Sequence, residues 1–394
     1  MSTEEVIAAG QKYVMNTYGR LPIVIDKGEG CYVWDLDGNR YLDLVAGIAV
    51  NSLGHSHPAV TKAIQEQCGK LLHCSNLYWI ENQVKLAKLL VEKSGLGKAF
   101  FCNSGAEANE AAIKLARKWG NGEKYHIITM QKSFHGRTLG SLAATAQEKY
   151  QKAFRPLPEG FSAVPLGDLE ALEKEIRPET CAIMLEPIQG ESGIHVPSKE
   201  YMQGVQALCR KHHILLILDE VQTGLGRTGK AFAFQNFGLE PDIISLAKAI
   251  ANGVPMGAIV AKTEVADCFQ PGDHATTFGG TPIASAAGFA ACSILLEDDF
   301  LANVQEVGQY FREQLQGIAE RHSGMIQEVR GMGLMIGCEL TGSAKDAAAR
   351  LLEQGVLVNS IGDHVLRFVP PLVISKEQID NFIAVLEPIL VEQA

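Results

Sequence analysis

Two apolar runs in this sequence end in groups that can do chemistry. Ile214 to Leu218 leads into Asp219-Glu220, and Ile243-Ile244-Ser245-Leu246 is followed closely by Lys248. Short apolar runs read as buried strands, and parallel strands of an α/β sheet present reactive groups where the chain leaves their carboxyl ends. A lysine amine and a carboxylate delivered to one crevice meet the needs of pyridoxal phosphate. The amine forms a Schiff base with its aldehyde, and a carboxylate opposite the pyridine nitrogen keeps that nitrogen protonated, so the ring can accept electrons. Each feature alone has a plainer reading: a strand ending in Asp-Glu also holds magnesium in nucleotide hydrolases, and a lysine after a strand is often a solvated end. The combination is what points to the cofactor.

A phosphate group needs its own cradle. Ala99-Phe-Phe-Cys-Asn-Ser-Gly-Ala-Glu runs from a strand through Ser104-Gly105 into a helix, whose first amides have no partner within the helix and attract anions. By itself this stretch reads more readily as an ordinary helix capped by Asn103 or Ser104, and its place in a Lys/Asp crevice is what turns it toward phosphate. A second glycine-rich stretch, Gly224-Leu-Gly-Arg-Thr-Gly-Lys-Ala231, imitates both a dinucleotide-binding fingerprint and a P-loop. Alanine at 231 removes the hydroxyl that would ligate magnesium, and the glycines follow the acidic strand end instead of preceding it, so both matches read as decoys.

The elements that must position these groups form an alternating pattern. Between about residues 99 and 261, apolar runs at Ala99 to Cys102, His126 to Met130, Ala182 to Leu185, Ile214 to Leu218, Ile243 to Leu246 and Gly257 to Ala261 alternate with helical stretches such as Ala106 to Trp119 and Lys199 to His212. This predicts an α/β fold with a mainly parallel, doubly wound sheet. The glycine-punctuated start and the long helical patterns after about residue 290 predict a smaller α+β domain built from both termini. The expected boundaries are 1–50 for its N-terminal segment, 51–290 for the large cofactor-binding domain and 291–394 for its C-terminal part. A chain of 394 residues exceeds the size at which one core usually stops growing.

Five blocks carry a family resemblance: Asn103-Ser-Gly-Ala-Glu-Ala-Asn109, Phe134-His-Gly-Arg-Thr138, Glu186-Pro-Ile-Gln-Gly-Glu191, Asp219-Glu-Val-Gln-Thr-Gly-Leu-Gly-Arg-Thr-Gly229 and Pro241-Asp-Ile-Ile-Ser-Leu-Ala-Lys248. In this order they resemble the class III, or subgroup II, aminotransferases, which have the fold type I architecture of pyridoxal phosphate enzymes. The resemblance implies that Lys248 holds the cofactor and then shuttles the proton. Asp219 is implied to pair with the pyridinium, Gln222 to lie near the phenolic oxygen and Phe134 to stack on the ring. The phosphate falls to amides at Gly105 and Ala106 beside Ser104, with Thr277 reaching the phosphate of a partner subunit, so a homodimer is implied. Arg137 matches an arginine for the α-carboxylate of the amino donor and Arg367 one for the α-carboxylate of glutamate and 2-oxoglutarate. Glu191 matches a switch that covers Arg367 when an ω-amino substrate is bound. The plain reading of each is a structural ion pair, worth about 0 to 1 kcal/mol at a surface.

Within the class, Gly47-Ile-Ala-Val50, Leu53-Gly-His-Ser-His-Pro58 and Leu115-Ala-Arg117 are most similar to the branch that uses N2-acetylornithine in arginine biosynthesis. Donors kept as alternatives are ornithine, succinylornithine, succinyl-diaminopimelate and 4-aminobutyrate; outside the class stand a P-loop ATPase and a noncatalytic cofactor-binding protein. Ile48 occupies a position where ornithine aminotransferases tend to carry a substrate-contacting tyrosine. Three departures from the common pattern are Ser192, Thr281 and Ile250-Ala-Asn-Gly253. Histidines 55, 57 and 73 give no complete ligand set, so no metal is expected.

Composition limits the partners. Lys plus Arg total 35 against 45 Asp plus Glu, a formal charge of −10, and no long basic run stands out, so nucleic acid is not expected. The nine cysteines contain no Cys-x-x-Cys pair, the start is acidic and no apolar run approaches a membrane span. A soluble, cytoplasmic enzyme acting on small molecules is the expectation.

Overall fold

The computed structural model describes residues 1–393. Its centre is a seven-stranded sheet made of β1 (Lys98–Cys102), β2 (His126–Met130), β3 (Phe161–Val164), β4 (Thr180–Leu185), β5 (Leu215–Asp219), β6 (Ile243–Leu246) and β7 (Gly257–Ala261), in the spatial order β1-β7-β6-β5-β4-β2-β3. Strands β2, β4, β5, β6 and β7 are buried at every position, as expected where helices cover both faces. Six strands run parallel, and β7 runs against both β1 and β6. The β6 to β7 connection is shorter than the dozen or so residues a parallel crossover takes, so the chain turns straight back.

Two details differ from the sequence reading. The acidic strand is shifted by one residue, so Asp219 is its last member. The edge strand β3 is additional: Ser162 interrupts its apolar run, and only Val164 is buried.

Two smaller sheets flank this layer. In the first, Ile25–Glu29, Tyr32–Asp35 and Arg40–Asp43 form an antiparallel meander, and Val356–Leu357 joins its edge in parallel, pairing Val356 with Leu42 and Leu357 with Asp43. The second is antiparallel, in the order Ile326–Met332, Met335–Leu340, Val365–Phe368, Asn359–Ile361. Helices Asp298–Arg321 and Lys376–Gln393 pack here through Phe311, Phe368 and Phe382, whose ring centroids lie 5.3 to 5.7 Å apart. Aromatic clusters of this kind are rigid and dominate core energetics. Phe368 adjoins Arg367, so the cluster fixes the strand that carries that arginine.

Among the described residues no helix is long and apolar enough to cross a membrane.

Candidate active site

The carboxyl ends of the parallel strands share one edge of the sheet, and a cavity of about 380 Å³ opens there. Asp219 and Lys248 both line it, with Ser104, Gly105, Ala106, Phe134, Arg137, Glu191 and Gln222. Nine of the eleven residues expected at the site therefore meet in one place. The other two are Arg367, which lies behind Glu191, and Thr277, which is exposed and outside this cavity.

Asp219 is only 4% exposed, and its carboxylate is surrounded by hydrogen-bond donors. Its Oδ2 accepts from His135 Nδ1 and Asn109 Nδ2, each at 2.7 Å, while Oδ1 accepts only the Val221 amide, at 3.1 Å. Burial disfavours a charged His135, but the hydrogen bond and charge of Asp219 outweigh it and hold the imidazole above its ordinary range. Glu186, one strand over, receives the Phe134 amide at 3.0 Å; burial, reinforced by the Asp219 charge, pushes its carboxyl up to about 8.

Lys248 opens a single 3₁₀ turn, Lys248–Ala251, with φ of 50°, a left-handed conformation that costs a non-glycine residue of order 1 to 3 kcal/mol. That backbone turns the side chain into the cavity. Burial lowers its amine to about 8, the Glu191 carboxylate opposing this effect and the Arg367 cation adding to it.

At the next strand end, helix Gly105–Trp119 begins directly on the cavity. Ser104 caps it, its hydroxyl accepting from the Glu107 amide at 3.1 Å, so the amides of Gly105 and Ala106 remain free. A Cβ on Gly105 would lie 2.9 Å from Val221 Cγ1, so glycine lets this turn approach the strand end that carries Asp219.

Arg367 is 2% exposed and closed off by Glu191, whose Oε1 accepts Nη1 at 2.7 Å. Asn359 Oδ1 takes Nη2 at 2.5 Å and the Gly190 carbonyl takes Nη1 at 3.2 Å. Gln222 Nε2 donates to the same Glu191 oxygen at 3.1 Å, and a Cβ at Gly190 would sit 1.8 Å from Gln222 Oε1. Although burial favours its neutral form, Arg367 and Lys248 hold Glu191 below the usual carboxylate range. Arg137 is in a different state: exposed at the cavity, over the rings of Tyr150 and Phe134, and in no ion pair among the described residues.

His135, Asn109 and Glu186 are site residues the sequence reading did not single out. A signal was present: His135 and Asn109 lie inside quoted blocks, and Glu186 follows the apolar run of β4 as Asp219 ends that of β5. The decoy stretch is structural. Its three glycine amides, at Gly224, Gly226 and Gly229, bond to the carbonyls of Glu220, Ala231 and Gly226, so the glycine amides that a phosphate-binding loop would offer are taken. Arg227 is buried, donating to the Leu334 and Pro370 carbonyls at 3.0 and 2.6 Å. His55 bonds Asp43 at 2.8 Å. Of the departures, Asn252 takes a left-handed φ of 46° in place of a glycine, and its amide pins the loop at Leu53 and Gly54 at 2.8 and 3.0 Å. Ser192 bonds Gln189 inside the Glu191 loop, and Thr281 precedes a helix-starting proline without capping it.

The profile of the family described as aminotransferase class-III matches residues 13–390. The chain belongs to the class III aminotransferases. The acetylornithine aminotransferase of Caldanaerobacter subterraneus subsp. tengcongensis is 53% identical, across 98% of this chain and 99% of its own length. That of Methanocaldococcus jannaschii is 51% identical over 100% and 99%. Among solved structures, ornithine aminotransferase from Toxoplasma gondii superposes with a TM-score of 0.95 at 32% identity, covering 100% of this chain and 96% of its own. Acetylornithine aminotransferase from Elizabethkingia anophelis gives 0.90 at 33% identity and 99% coverage of both chains.

Class III aminotransferases depend on pyridoxal phosphate, and the residues of this chain fit it. Asn109 Oδ1, His135 Nε2 and Gln222 Oε1 are buried polar atoms without partners beside the cavity, at a cost a polar ligand can relieve. The free helix amides suit its phosphate, Asp219 its pyridine nitrogen and Lys248 its aldehyde.

Proposed function

We propose that this class III aminotransferase moves the terminal amino group of N2-acetylornithine to 2-oxoglutarate, giving N-acetylglutamate 5-semialdehyde and glutamate. The observation that carries the reading is the contrast between two arginines: Arg367 is covered by Glu191, and Arg137 is open. An ω-amino donor with one carboxylate needs one arginine and no second cation near its reacting end; glutamate, with two carboxylates, needs both. A planar guanidinium grips a carboxylate through two parallel hydrogen bonds, which orients as well as binds.

Bound pyridoxal phosphate supplies an aldehyde that accepts the amino group and a ring that accepts electrons. Lys248 Nζ, its cationic form disfavoured by burial, moves the proton at the donor carbon. Asp219, fixed by His135 and Asn109, would face the pyridine nitrogen, Phe134 would cover a ring face, and Gln222 would serve the phenolic oxygen. Glu191 holds Arg367 until glutamate or 2-oxoglutarate displaces it. The two substrates use the site in turn, so ping-pong kinetics follow.

At the position where the resemblance puts a substrate-contacting tyrosine in ornithine aminotransferases, this chain has the exposed Ile48, whose side chain cannot hydrogen-bond the free α-amino group of ornithine, in keeping with an acylated donor. The relatives named above, about half identical over their full lengths, carry acetylornithine in their names.

The working unit in this reading is a cytoplasmic homodimer. Leu77, Tyr78, Trp79 (93% exposed) and Phe278 are large apolar side chains at the surface, and the His73 and Phe278 rings, 5.2 Å apart, join their two segments into one patch. Contiguous exposed apolar surface of this kind supports an interface here. Thr277 is exposed beside it, in keeping with the role of reaching a partner's phosphate that the family resemblance implies. Residues 1–50 and 291–394 form the smaller domain around the large one at 51–290, a division supported by the pairing of Val356–Leu357 with Arg40–Asp43.

Half-reactions followed separately in Arg137→Ala and Arg367→Ala test the assignment. The first variant should weaken both donors, and the second should impair glutamate far more than N2-acetylornithine. Equal damage to both half-reactions by Arg367→Ala would contradict the division of labour.

A further inference from the structure

Arg137 lies at the cavity without an acidic partner, yet its guanidinium is placed. Its central carbon is 3.9 Å from the centroid of the Tyr150 ring and 5.3 Å from that of Phe134, and those two rings meet edge to face at 6.0 Å. Phe134 belongs to the cofactor face of the site, but no role has yet been given to Tyr150. It sits on a short helical turn, Glu148–Gln151, that is tied down from both sides. Gln147 Nε2 donates to the Lys132 and Ser133 carbonyls at 3.1 and 2.9 Å; Gln151 Nε2 donates to the Leu142 and Thr145 carbonyls at 3.0 and 2.8 Å. These bonds fasten the turn to the segment that follows β2 and carries Phe134 and Arg137. The ring is therefore a fixed platform.

A carboxylate beside Arg137 would hold it as firmly but would have to be displaced by the substrate's own carboxylate. A ring face attracts the cation and leaves its N–H edge free to donate.

We propose that Tyr150 is a positioning residue for substrate binding: its ring, and not its hydroxyl, holds Arg137 with its hydrogen-bonding edge open to the donor's carboxylate. The inference rests on the assignment of Arg137 to that carboxylate. Lys149, whose ammonium is 4.6 Å from the same ring, is exposed, and its side chain follows its neighbour; it does not set the platform.

The test uses the holoenzyme and N-acetylnorvaline, which keeps the α-carboxylate and the acylated α-amine and lacks the terminal amine, so its binding reports recognition without turnover. Tyr150→Leu should weaken its binding about fivefold, the size of a partly exposed cation–π contact, and raise KM for N2-acetylornithine similarly with kcat nearly unchanged. Tyr150→Phe should bind as the parent does. Adding Tyr150→Leu to Arg137→Ala should cost nothing further, because the platform then has nothing to hold. Unchanged binding in Tyr150→Leu, an equal loss in Tyr150→Phe, or full additivity with Arg137→Ala would each overturn the proposal. Failure of the substrate reading looks different: the parent enzyme would neither bind N-acetylnorvaline nor turn over N2-acetylornithine, and the three variants would then be compared on the carboxylate donor it does accept.

Discussion

Lys248 faces two demands that conflict in water: it must be neutral to attack an aldehyde and to accept a proton, yet lysine ordinarily titrates near 10.5. Burial at the foot of the cavity resolves the conflict by lowering it to about 8. Below pH 8 most of the protein carries a protonated Lys248 that cannot capture the cofactor, and above it the neutral fraction dominates. Uptake of pyridoxal phosphate by cofactor-free protein should therefore accelerate as pH rises from about 6.5 to 9 and level off beyond the lysine's pKa, read as the growth of protein-bound yellow absorbance. A rate that is flat or falls over that range would show that Lys248 is not the titrating group. Stability has the same sign: between about 8 and 10.5 the unfolded chain holds more protons at this lysine than the folded one, so this residue adds stability as pH rises through that window. At this scale the sequence was informative about Lys248 and Asp219, because each follows an apolar run. It was silent about the platform under Arg137, since Tyr150 lies in no such pattern and its position depends on glutamine bonds to distant carbonyls.

Strand ends and helix starts hold the reacting groups, and their placement depends on close backbone approach. Gly257 opens β7, the antiparallel strand between β6 and β1. A Cβ there would lie 2.3 Å from the Ser104 carbonyl oxygen, at the cap of the helix whose first amides face the cavity. Gly257→Ala must push that cap away, at a cost of about 1 to 3 kcal/mol for overpacking. The expected result is roughly tenfold or greater loss of cofactor affinity by titration of resolved protein, as 1.4 kcal/mol is a factor of ten. Affinity equal to the parent's would show that the cap does not hold the phosphate. Strands were legible where both faces are covered, because apolar runs such as Ile243–Leu246 then continue unbroken. The same rule missed Phe161–Val164, an edge strand with one polar and one buried position that matter more than its average. The β7 reversal was hidden as well: direction is set by connection length, and an apolar run reads the same in either sense.

Across the whole molecule, the segments from both ends of the chain meet in one small sheet, and the aromatic cluster of Phe311, Phe368 and Phe382 braces the strand that sets Arg367 behind Glu191. No local pattern announces a pairing between Leu42 and Val356; it depends on a fold that closes over a separation of some three hundred residues. The surface around Trp79 and Phe278 belongs to the same scale. If it is where two copies meet, Trp79→Glu should place a charge in the interface, shift the protein toward monomer in sedimentation and lower cofactor affinity, because Thr277 of each copy would lose its target. An unchanged dimer, or a parent protein that is itself monomeric, would move the interface elsewhere. The solved structures of ornithine and acetylornithine aminotransferases superpose on this chain almost equally well. The choice of donor is therefore made by a few side chains around the cavity and not by the architecture.

The central claim is that Lys248, Asp219 and the two arginines together make a pyridoxal phosphate enzyme selective for an acylated ω-amino donor. The most direct measurement is the absorbance spectrum of the purified holoprotein during addition of glutamate, and separately of N2-acetylornithine, with no keto acid present. The account predicts a yellow protein whose visible band is bleached by both donors, with free ornithine acting far less well than its acetylated form. Bleaching by glutamate alone would contradict the substrate assignment, and a protein that stays colourless after pyridoxal phosphate is supplied would contradict the enzyme itself.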